Sequence, residues 1–89
     1  EPALVVLKNG YAKANFSVKN FPQGKVEPIE ILVNNKLDHR VYPKQENEVF
    51  SETVKLSSGK NTIRIQGEND SIETSAEYTP PFTLPLIAG

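Results

Sequence analysis

Asp38 and His39 are the first residues with types that could do chemistry, and His39 is the chain's single histidine. A carboxylate beside an imidazole could serve as an acid–base pair. Adjacent residues of a strand point to opposite faces, however, so the pair is not expected to cooperate. The expectation is a solvated histidine on an edge strand and no catalysis. The chain has no cysteine, and no serine sits in a nucleophile-elbow motif. Glu46, Glu48 and Glu52 make a carboxylate-rich stretch. Paired carboxylates hydrolyse glycosides only when they flank a sugar-sized cleft, so these three are expected to lie on a solvated face.

A second acidic group is Glu68, Asn69, Asp70 and Glu73, which offers oxygen ligands of the kind calcium takes. The spacing is not that of an EF-hand loop. The alternative is an ordinary Asn-Asp turn flanked by solubilising carboxylates. One histidine without cysteine cannot complete a zinc or copper site, and no cofactor is expected. Asn15-Phe16-Ser17 and Asn69-Asp70-Ser71 match the N-glycosylation pattern. Tyr11, Tyr42 and Tyr78, with Phe21 and Phe82, could stack on sugars, although Tyr78 at a strand end reads as core or interface. Phe82, Leu84 and Leu86 share a parity and could dock as an extended strand on a sheet edge. Pro85 would remove one ladder bond there, which favours an edge position. The other reading of residues 80–89 is a linker, because Pro-rich chain is extended and semi-rigid.

The elements that must position these groups are short. The chain has 89 residues, enough for one domain, and buries roughly 60–65% of its unfolded surface. Methionine and tryptophan are absent, and seven prolines and five glycines suggest many turns and few helices. Ten basic and eleven acidic residues are interspersed, for a net charge of -1. No basic stripe exists to neutralise phosphates, which argues against nucleic acid. No run approaches the ~18 apolar residues of a membrane span, so no membrane insertion is expected. A start at Glu1 without Met suggests a piece of a longer or processed protein. Lack of cysteine argues against a disulfide-stapled secreted miniprotein.

Leu4-Val5-Val6-Leu7 is an apolar run followed by Asn9-Gly10. That dipeptide between strand-like segments is a strong hairpin signal, with both residues central in a type I′ turn. The other reading pairs residues 3–8 elsewhere and leaves Asn9-Gly10 as a bend. Ala12, Ala14, Phe16 and Val18 alternate with Lys13, Asn15 and Ser17, as in a half-buried strand. Residues 20–25 read as a loop. Residues 26–33 read as a strand with Ile29, Ile31 and Val33 on one face, and Asn34-Asn35 marks a tight turn. Residues 36–42 form a charged strand whose Lys36, Asp38, His39 and Arg40 suit a protected edge and argue for a monomer. Phe50, Val54 and Leu56 share a parity within 49–56. Ile63, Ile65 and Gly67 face inward next, with Gly67 permitting close approach. Ile72, Thr74, Ala76 and Tyr78 complete a last strand. The expected core is Leu7, Phe16, Val18, Ile31, Val33, Phe50, Val54, Leu56, Ile63, Ile65 and Ile72. Spacing of about 8–12 residues with turns between is a sandwich signature.

Within residues 56–69, Leu56, Gly59, Asn61, Thr62, Ile63, Ile65 and Asn69 follow a definite order. A Leu and a Gly precede Asn-Thr-Ile, an alternating strand follows, and a polar residue ends it. This resembles the penultimate turn and strand of bacterial immunoglobulin-like and fibronectin type III-like modules. There is no core Trp and no Cys pair, which disfavours an antibody-type domain. Asn61 can bond the turn backbone. The resemblance implies an all-β, seven-stranded, immunoglobulin-like antiparallel β-sandwich over residues 1–79 with a Pro-rich extension over 80–89. It implies a non-catalytic accessory module that spaces, orients or docks neighbouring domains of the same polypeptide or another protein. It implies an extracellular, cell-surface or periplasmic setting. Two alternatives stay open: a module that binds a carbohydrate or protein ligand, and a regulatory domain attached to a peptidase or glycoside hydrolase.

Overall fold

The computed structural model describes residues 3–7, 9–18, 27–68 and 70–81. These are strands and turns, with no helix among them. The strands are β1 (Ala3–Val6), β2 (Tyr11–Ser17), β3 (Ile29–Val33), β4 (Lys36–Val41), β5 (Val49–Lys55), β6 (Gly59–Gln66) and β7 (Ser71–Tyr78). They form two antiparallel sheets, one ordered β1-β2-β5 and the other β4-β3-β6-β7.

Alternation decides which face of each strand is buried. In β2, Ala12, Ala14 and Phe16 are buried, and Val18 just beyond packs against them. Across the gap, Ile29 and Ile31 of β3 and Ile63 and Ile65 of β6 face inward. The two sheets therefore share one core, giving a β-sandwich-like domain. Phe16 and Phe50 are register partners whose rings stack with centroids 5.4 Å apart. Ala12, Ala14 and Ala76 also join the core, and side chains this short let backbones and larger neighbours come close.

Of the expected core residues, Val18, Val33 and Phe50 are partly buried and two, Leu7 and Ile72, are exposed. Leu7 is 36% exposed because it sits in the β1–β2 turn, past the end of β1. Ile72 faces the inner side opposite Ile65 but is 46% exposed. Among the described residues its strand is the sheet margin, bonded to β6 alone, so one flank of Ile72 has no described strand beside it. The strand expected over 26–33 begins only at Ile29, with Glu27 and Pro28 outside the ladder. The loop expected over 20–25 lies outside the described residues.

The turns follow backbone chemistry. Asn34 and Asn35 have φ of 53° and 68°, the left-handed pair that a tight two-residue hairpin requires. β1 and β2 do form a hairpin, but it is not centred on Asn9-Gly10. The Gly10 N–H donates to the Leu7 carbonyl at 3.3 Å, and the Leu7 N–H donates to Tyr11 at 2.7 Å. The connection is thus three residues long, and Gly10 closes it with φ of 86°. At Gly67 the nearest atom a Cβ would meet is the Asp70 carbonyl oxygen at 3.7 Å. That is an ordinary contact, so among the described residues no close approach is seen there.

Candidate functional site

The polar group with the most developed geometry lies at the sandwich margin where β4 and β5 face each other. Ile31 pairs with His39 and Leu32 with Leu37, which leaves Asp38 as an extra residue in β4. This is a β-bulge, and a bulge suspends the strict alternation of a strand. His39 stands opposite Ile31, on the inner side. Glu52 of β5 pairs with buried Ala14 and also points inward.

His39 Nδ1 lies 2.6 Å from Asp38 Oδ2 and His39 Nε2 lies 2.7 Å from Glu52 Oε1, each at hydrogen-bond distance. The premise that Asp38 and His39 point to opposite faces is corrected here, because the bulge removes the alternation on which it rested. The expectation of a solvated Glu52 is corrected as well. The side chains retain 33% exposure at His39, 35% at Asp38 and 25% at Glu52. Burial pulls the His39 pKa down, but hydrogen bonds accepted by Asp38 and Glu52, with their charges, outweigh it and raise the value above 6.5.

This geometry limits the chemistry. An imidazole acts as a base through a free ring nitrogen, and both nitrogens of His39 are engaged. The carboxylates sit at opposite edges of the ring, so they do not converge on one point. Among the described residues no group of three or more His, Cys, Asp or Glu side chains could hold a metal ion. What the arrangement can do is join the two sheets through one protonatable ring.

The other acidic residues have separate tasks. Glu48 accepts the Lys44 N–H at 2.7 Å and so closes the β4–β5 connection. Glu46 is exposed in that connection. At the β6–β7 turn, Glu68 and Asp70 border a shallow polar depression with Gln66, Gly67 and Ser71. Glu73 instead pairs with Arg64 at 3.3 Å on the outer face. Asn69, the fourth calcium candidate, lies outside the described residues. So do Phe82, Leu84 and Leu86, the proposed docking tail, together with Phe21.

The tyrosines do not form a row. Tyr78 packs against the core, Tyr42 is 57% exposed beyond the end of β4, and Tyr11 is half-buried on β2. Asn15 of the first glycosylation tripeptide is half-buried opposite Ser51.

Asn61 is the one buried polar residue among those described, at 1% exposure. Its Oδ1 accepts the Ser57 N–H at 2.8 Å and Asn34 Nδ2 at 3.0 Å. Its Nδ2 donates to the carbonyls of Ser57 and Gly59, both at 2.9 Å. Asn34 answers with its own Oδ1, which accepts the Thr62 N–H at 2.9 Å. The expected bond from Asn61 to its turn is present, and it extends to the β3–β4 hairpin. The motif around Asn61 signals this role in the sequence. The His39 bridge has a fainter signal, since Glu52 shares the parity of Phe50 and Val54.

Comparison with protein-family models, with curated proteins and with solved structures found no match.

Proposed function

We propose that this chain is an immunoglobulin-like, fibronectin type III-like sandwich with a non-catalytic accessory role, spacing or docking neighbouring domains at a cell surface, outside the cell or in the periplasm. The observation that carries this reading is the strand order. β1, β2 and β5 form one sheet, and β4-β3-β6-β7 form the other. In the immunoglobulin-like scheme the same order arises when the first, second and fifth strands face a sheet built from third, sixth and seventh strands plus one added beside the third. The Asn61 network supports the reading, because it ties turn to strand at the position where related sandwiches use a tyrosine corner. His39 supports the non-catalytic part, since each ring nitrogen sits against a carboxylate of this chain.

The test is an NMR titration of the labelled 89-residue chain with calcium and then with a panel of soluble oligosaccharides. An accessory module leaves its spectrum unchanged by both. A saturable shift at Gln66–Ser71 with calcium, or on one sheet face with a sugar, replaces this reading with a ligand-binding one.

A further inference from the structure

We propose that Asp38, His39 and Glu52 form a proton-operated latch between the two sheets, closed while the imidazole carries both N–H groups and opened at Glu52 when it loses one. The inference rests on geometry and goes beyond the family reading above.

Two short bonds, 2.6 Å to Asp38 and 2.7 Å to Glu52, put a carboxylate oxygen against each ring nitrogen. Only the imidazolium can donate at both. When one proton leaves to solvent, a nitrogen lone pair faces a carboxylate lone pair, and one contact must be given up. The two contacts are not equivalent. Asp38 is the neighbouring residue, held beside the ring by the bulge. Glu52 belongs to the opposite sheet. The bond to Glu52 is therefore the one that opens.

Among the described residues, these two carboxylates are the charges at hydrogen-bond distance from the ring. On β4, Lys36 shares the inner side, set opposite Val33, and Arg40 is engaged by Glu30 at 3.0 Å. From β3 the facing residue is Ile31, which is apolar and fully buried. On β5 the neighbours of Glu52 on its own side are Phe50 and Val54. Near the β4–β5 connection, Glu48 is taken by the Lys44 N–H. The raised His39 pKa accords with the closed latch. Opening it frees the β4 and β5 edges to separate, beside the partly buried Val41 and Phe50.

The test follows the ring signals of the chain's single histidine across pH, together with amide exchange in β4 and β5. The expected result is two protonated nitrogens at low pH and a midpoint above 6.5. Exchange of the amides pairing β4 with β3 and β5 with β2, corrected for its intrinsic pH dependence, then rises several-fold as His39 deprotonates. Glu52→Ala, which removes the acceptor, lowers the midpoint and gives the open-state exchange already at low pH. A midpoint at or below 6.5 overturns the proposal, and so does edge exchange that ignores the titration. Should Glu52→Ala not fold, the unaltered chain alone decides between these outcomes.

Discussion

The ring of Tyr78 lies directly over the backbone of Gly10. A Cβ on Gly10 would stand 2.9 Å from the Tyr78 Cζ and 3.2 Å from its hydroxyl. The last strand thus closes onto the first turn, and the Gly10 carbonyl also accepts the Leu56 N–H at 2.8 Å.

Gly10→Ala is therefore expected to destabilise for two reasons. A left-handed conformation costs an L-residue about 1–2 kcal/mol, and the methyl group overpacks against the ring for about 1–3 kcal/mol more. Pairing it with Tyr78→Ala separates the two. In a double-mutant cycle by urea unfolding, only the backbone part should persist in the Tyr78→Ala background. Full loss in both backgrounds would mean the ring does not oppose the new methyl.

Asn61→Ala leaves the Ser57 N–H and the carbonyls of Ser57 and Gly59, all part-buried, without their partner. The expected loss is about 1–3 kcal/mol in total, because water reaches these groups in part. Asn61→Asp keeps the acceptor but turns an oxygen toward the Ser57 and Gly59 carbonyls, so it should be at least as damaging. Asn34→Gly removes the two bonds of an exposed side chain, to Asn61 and from the Thr62 N–H, while keeping the positive φ, and should be the mildest. Thermal unfolding of the three variants checks that ranking.

Ile63 is fully buried and Ile72 is 46% exposed, although both face the core side. Ile63→Ala is expected to cost about 2–5 kcal/mol. Ile72→Ala should cost far less, since much of its side chain already meets water. Equal losses in denaturant would show that β7 is covered in solution.

The His39 pKa is raised when folded, by its two carboxylates, against an unfolded value of 6.5. The bridge therefore stabilises in full below pH 6.5, and that gain is lost as pH climbs through the folded value. Urea midpoints should fall between about pH 6 and about pH 8, the range in which histidine titrates. His39→Gln should flatten the dependence. A His39→Gln profile parallel to that of the parent would leave the bridge without thermodynamic weight.

Much of the architecture is carried by local pattern. The period-2 runs through Phe16, Ile31 and Ile63, and the Asn34-Asn35 turn, depend on neighbours within a few residues. The leucine–glycine–asparagine spacing before Ile63 signals the Asn61 network for the same reason. The bulge is harder to read. Counting from the Asn34-Asn35 turn without it sets Asp38 against Ile31 and Arg40 against Ile29. Only the need to place Val41 opposite Ile29 asks for an extra residue, and a single apolar side chain is a thin signal. The meeting of His39 with Glu52 depends on how two sheets stack, which strand rhythm does not encode. The exposure of Ile72 likewise follows from the position of β7 at a sheet margin, a property of topology.

The strand order also governs how fast the fold can assemble. The hairpins β1–β2, β3–β4 and β6–β7 are local, and each can close within about 1–10 μs. The pairings of β2 with β5 and of β3 with β6 join distant segments, such as Phe16 with Phe50 and Ile31 with Ile65. Loop-closure entropy must be met there before core contacts return it. Folding on the scale of milliseconds to seconds follows, with the search for these two distant pairings as the slow step.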